Sequence, residues 1–95
     1  MIKILENIKN ELIESFENGT LYEYLCDSVL EVRKLQNTNR IESLVFGLGG
    51  PNIILDMHDR NGVMCGYWAS KEEFIPIPYL VWKDMEIEII EMFEY

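Results

Sequence analysis

Basic residues are scarce in this 95-residue chain: eight lysines and arginines stand against seventeen aspartates and glutamates, a formal net charge of −9. That shortage argues against direct binding to DNA, RNA or an anionic membrane, because those surfaces are held by cationic patches that neutralise phosphate. Histidine is nearly absent, with His58 alone, which argues against a histidine-rich metal centre. The two cysteines, Cys26 and Cys65, are too few for a disulfide framework. They read as buried thiols of a reducing compartment, with a pairing between them as the lesser possibility. No apolar run approaches the ~20 residues needed to cross a bilayer. Charge interrupts the first residues, Met1 to Glu6, so a signal peptide is not expected and the expected location is the cytoplasm.

The apolar content, 48%, is that of a globular protein rather than of an acidic disordered tail. A chain of this length forms one domain, residues 1–95, and buries roughly two-thirds of its unfolded surface without metals or disulfides.

Ile2, Leu5, Ile8, Leu12 and Phe16 recur at spacings of three and four, with Ile4 and Ile13 broadening the stripe. This is the face of an amphipathic helix over residues 2–17. Asn18-Gly19 suits its end. Thr20, with Glu23 three residues on, has the spacing of a capping box opening a short second helix over residues 21–26. From Ser28 the period changes to two, which predicts a strand up to Gln36, a turn at residues 37–39, and further strands over 41–48, 52–58 and 63–69. Asp59-Arg60-Asn61-Gly62 is a tight turn, since Asn-Gly tolerates positive φ. The Ile75-Pro76-Ile77-Pro78 stretch is expected to be a loop, residues 71–78. Trp82, Met85, Ile89, Met92 and Phe93 return to helical spacing over residues 80–95. The expected fold is α+β: a four-stranded antiparallel meander flanked by one or two N-terminal helices and a C-terminal helix, in the order α(α)ββββα.

The stretch most suggestive of chemistry is GLGGPNIILDMHDRNGVMCGYW, residues 47–68. A phosphate loop presents converging N–H groups at a helix N-terminus. Here Gly49-Gly50 is followed by Pro51, which has no N–H, and then by a strand, with no lysine in the P-loop position. The glycines read as the reversal between two strands. Asp56 and His58, two apart on a predicted strand, would share a face, yet a metal site needs further ligands. An EF-hand pattern is missing. Cys65 and His58 would make a nucleophile and base across the hairpin, with no third group to orient them. A hydrolase or metal-dependent enzyme centred on Asp56, His58 and Cys65 is therefore the weaker expectation. No catalytic residue, metal or cofactor is assigned.

What remains is acid. Asp84, Glu88, Glu91 and Tyr95 form a ridge on the last helix, where neighbouring carboxylates repel and oppose the helix dipole. Glu14 and Glu17 of the first helix, with Glu6 and Glu11, would extend it if the terminal helices pack together. Asp84, Glu88, Glu91, Glu14 and Glu17 are the candidate contacts for a basic partner, reached by electrostatic steering.

The segment Gly49 to Asp56, GGPNIILD, followed by Gly66-Tyr67-Trp68, resembles a pattern in small proteins of phages and mobile elements. In size, acidity and element order the chain is similar to anti-CRISPR inhibitors. That resemblance implies a non-enzymatic protein occupying the nucleic-acid site of a defence nuclease, and it transfers no site residues. The alternative is an immunity or adaptor protein that neutralises a toxin or bridges host proteins. Edge strands, Trp68 and Trp82 are the candidate means of pairing two copies.

Overall fold

The computed structural model describes residues 2–36 and 40–93. Its elements are α1 (Ile2–Asn18), α2 (Leu21–Ser28), β1 (Glu31–Lys34), β2 (Ile41–Gly47), β3 (Asn52–Asp56), β4 (Val63–Trp68), β5 (Lys71–Pro76) and α3 (Tyr79–Phe93). The fold is α+β. The five strands form one antiparallel sheet in the order β1-β2-β3-β4-β5, as short connections require. The predicted turn at residues 37–39 lies outside the described residues.

The fifth strand corrects the expectation of four. Residues 71–76 pair along β4 from Trp68↔Lys71 to Val63↔Pro76. Proline restricts the residue before it to extended backbone, which is strand geometry. A missing N–H is tolerated at the sheet edge, where β5 lies. The hairpin turns through Ala69, whose φ is +56°. Other boundaries also moved: β1 ends at Lys34 rather than Gln36, and β3 at Asp56 rather than His58. α2 extends to Ser28 and β1 begins only at Glu31. The capping box at Thr20 does not form. The Thr20 N–H and hydroxyl both turn back to the Ser15 carbonyl, at 2.8 and 3.5 Å, and Gly19 at φ +74° closes α1. This six-to-one bond around a left-handed glycine is a Schellman ending. The threonine hydroxyl thus serves the end of α1, while its carbonyl still accepts the Tyr24 N–H at 3.1 Å to open α2.

Period-two alternation separates the sheet into two faces. Leu44, Leu55, Met64 and Ile75 stand side by side, one per strand. They join Leu5 and Leu12 of α1, Leu21 and Leu25 of α2, and Val81, Trp82, Met85 and Ile89 of α3 in one buried cluster. All three helices thus cover the same face. On the other face Val45, Ile54, Cys65 and Phe74 form the matching row, and none belongs to that cluster.

The β3–β4 connection joins the layers. Asn61 and Gly62 adopt φ of +55° and +87°, as the Asn-Gly pair predicted. The Gly62 N–H donates to Asp56 O at 2.7 Å, and the Ile77 N–H donates to Gly62 O at 2.8 Å. The Trp82 ring lies where a Gly62 Cβ would stand. Trp82, expected as a possible exposed pairing surface, is only 6% exposed for this reason.

Candidate functional site

Charge divides with the layers. The three helices carry ten acidic and three basic residues, whereas the segment from Val29 to Pro78 carries six and five. Within the helical layer the acids fall in two groups that meet on α2.

The first group lies on α3. Val81, Trp82, Met85 and Ile89 are buried, which turns the opposite side of the helix outward. Asp84 and Glu88 are half-buried and Glu91 is exposed. Partial burial, then the charges of Asp84, Glu91 and Glu23, raise the Glu88 carboxyl above its ordinary 4.5. Loss of hydration and like charges both disfavour its ionised form. The charges that act on Glu88 come from Asp84 and Glu91 of its own helix and from Glu23 of α2. Lys83, the cation of this helix, is directed elsewhere: its Nζ lies 3.5 Å from Glu86 Oε1 and 4.8 Å from the Trp82 ring centre. No structure is described for Tyr95.

The second group lines a groove of about 400 Å³ between α1 and α2, bounded by Glu11, Glu14, Glu23 and Asp27 with Ser15 and Tyr24. The Tyr24 hydroxyl donates to Glu11 Oε1 at 2.8 Å. Burial and this bond to a carboxylate push the Tyr24 phenol up to about 12. Glu14 thus joins the acidic surface through α2, and Glu23 belongs to both groups. Glu17 is exposed at the end of α1 and does not line the groove.

Sequence reasoning missed Glu23 and Asp27 as members of this surface, because Glu23 was assigned to a cap. It also missed Leu80 and Ile87, which are 69% and 54% exposed. Their signal was present: both fall out of phase with the buried stripe of Trp82, Met85 and Ile89.

The residues of the weaker, enzymatic expectation are placed as follows. Asp56 ends β3, and its Oδ1 accepts from the N–H groups of His58, Asp59 and Arg60 at 3.0, 2.9 and 3.4 Å. It organises the loop. His58 lies past the end of β3, so it does not share a strand face with Asp56, and its Nε2 is 3.8 Å from Asp59 Oδ1. Cys65 is buried under Arg60, whose Nη1 approaches Sγ at 3.8 Å while its guanidinium stacks 4.5 Å above the Phe74 ring. Burial raises the Cys65 thiol above its ordinary value, outweighing the opposing pull of Tyr67 and Arg60. A thiol held in that form is a poor nucleophile. Cys26, expected to be buried, is exposed on α2; both cysteines are free, on opposite sides of the sheet.

The glycine loop is a turn. Gly49, at φ +86°, donates its N–H to Asn52 Oδ1 at 3.1 Å. That side chain occupies a donor an anion would need. Among the described residues no three His, Cys, Asp or Glu side chains are placed to hold a metal ion, and no helix is long and apolar enough to cross a membrane. No protein-family model matches this chain, and no match to a curated protein or a solved structure was found.

Proposed function

We propose that this protein is a non-enzymatic inhibitor of the anti-CRISPR type, whose acidic helical layer docks on the basic nucleic-acid-binding surface of a bacterial defence nuclease. The observation that carries the reading is the uneven placement of charge, ten acids against three bases on the helices and near balance elsewhere. A chain made acidic only for solubility has no reason to concentrate carboxylates around Glu88, where like charges oppose its ionised form. Asp84, Glu88, Glu91 and Glu14 act as the contacts, with Glu17 at the margin and Glu23 at the centre. Like-signed charge on one face steers encounter with a cationic groove and makes it sensitive to salt.

The test is competition against purified defence nucleases loaded with labelled nucleic acid. The triple variant Asp84→Lys, Glu88→Lys, Glu91→Lys is expected to lose affinity by about 100-fold or more while keeping its helical circular dichroism. The wild-type complex should dissociate as salt is raised. Undiminished inhibition by the triple variant overturns the proposal.

The same surface suits an immunity or adaptor protein that neutralises a toxin or joins two host proteins. The exposed Leu80 and Ile87 favour that second reading, since a mimic of phosphates alone has no use for aliphatic side chains. A toxin gene beside this one would select it, and phage genes would select the first.

A further inference from the structure

We infer that the outer face of α3 receives a segment of another protein that carries an apolar row flanked by lysines or arginines, with Leu80 and Ile87 as the anchors. This deepens the proposed function and rests on its assignment of the acidic helices as the contact surface.

Each residue of an α-helix advances about 100°, so Leu80, Asp84, Ile87 and Glu91 fall within a strip about 60° wide. The strip is opposite the buried Trp82, Met85 and Ile89. Leu80 and Ile87 are separated by seven residues, about 10 Å along the axis, the repeat at which helical recognition elements set successive anchors. A single exposed leucine is ordinary. Two large aliphatic side chains, each more than half exposed, interleaved with two carboxylates on one strip, are the pattern of a contact surface with apolar centres and a charged surround.

Charge selects the occupant. Asp84 and Glu91 sit between and beyond the anchors, Glu88 and Glu23 lie along one flank, and Lys83 on the other flank is engaged by Glu86 and the Trp82 ring. A second copy of this chain, docked through the same strip, would set like carboxylates against one another. An anionic bilayer would be repelled for the same reason. An apolar row between lysines or arginines satisfies both the aliphatic and the acidic parts.

The probe is a synthetic amphipathic helix of leucines and lysines, and its control has the same lysines with glutamine in place of leucine. Titration into the ¹⁵N-labelled protein is expected to shift the amides of residues 80–91 first. The leucine peptide should bind at least roughly ten-fold more tightly than the control, and Leu80→Ser and Ile87→Ser should each lose roughly ten-fold. Both sites are solvent-exposed, so the variants keep the fold, which the remaining amide spectrum verifies. Shifts centred on the α1–α2 groove or on the sheet, equal affinity for the two peptides, or undiminished binding by the serine variants would each overturn the inference. If Asp84→Lys, Glu88→Lys, Glu91→Lys abolishes peptide binding while the serine variants do not, only the anchors fail. If neither set has an effect, the acidic surface itself is not the contact.

Discussion

The helical layer and the outer face of the sheet are two surfaces of one small protein, and the carboxylates around Glu88 on the first are placed differently from the charged groups of the second. On the sheet side Arg33 pairs with Glu31 at 3.3 Å, Arg60 stacks on Phe74, and Asp56 is saturated by loop N–H groups. Each of these charged groups has a partner within the fold. On the helical side Glu88 is shifted only by burial and by charges of its own sign. Charged groups whose partners are internal act on stability. Charges gathered against their own repulsion make sense as a means of meeting something else. Substitutions at three positions test this contrast: at the tie between the layers, within the sheet side and within the helical side.

The largest effect belongs to the tie. Gly62 sits at φ +87°, and a Cβ there would overlap the buried Trp82 ring. Gly62→Ala adds overpacking to a left-handed backbone, and is expected to cost about 3–5 kcal/mol. For a domain of this size that lowers Tm by some 15 °C or more. The loss should be global, seen equally in helical circular dichroism and in tryptophan fluorescence. A change of less than about 1 kcal/mol would mean that Trp82 moves aside freely, and that the layers are not joined at this point.

Within the sheet side, Asp56→Ala removes the acceptor for three loop N–H groups and should cost about 1–2 kcal/mol, measured by urea unfolding. Asp56→Asn, which keeps the accepting oxygen, should retain most of the stability. Faster amide exchange is expected at residues 58–60, with α1 and α2 unaffected. Equal loss in the Asn and Ala variants would show that charge, not loop geometry, is what Asp56 supplies.

The two layers were also unequally legible in the sequence. The helices were readable because Leu5, Leu12, Met85 and Ile89 repeat at a period that only a buried helical face produces. The Asn61-Gly62 turn was readable because positive φ restricts the choice of residue. β5 was not, since Ile75-Pro76 excludes helix without excluding an extended edge strand, and only the β4 partner decides between strand and loop. Of the candidate site, the placement of Asp84, Glu88 and Glu91 on one helix followed from helical spacing alone. Their union with Glu23 did not, because it depends on how α2 packs against α3. Thr20 shows the same limit: its hydroxyl could accept from the free N–H groups that open α2 or donate to the carbonyls that end α1, and the ending of α1 claimed it.

Within the helical layer, Glu88→Gln should stabilise the protein at neutral pH by a few tenths of a kcal/mol, by removing repulsion from Asp84, Glu91 and Glu23. The sign follows from linkage. Burial and like charges raise the folded-state value of Glu88 above the unfolded 4.5, so the folded protein binds the proton more tightly and stability falls as pH rises through that interval. The cost of the charged form is complete above the raised value and absent well below 4.5. The advantage of the glutamine variant should therefore be largest near pH 7, shrink as the pH falls toward 4.5, and disappear at about pH 3.5, where both states hold the proton. Urea midpoints of the two proteins at each pH measure it. A variant that is less stable at pH 7, or an advantage that persists in acid, would show that Glu88 is tolerated through a favourable local contact. The carboxylates of α3 would then resemble those of the sheet, satisfied from within, and the contrast between the two surfaces would fail at its centre.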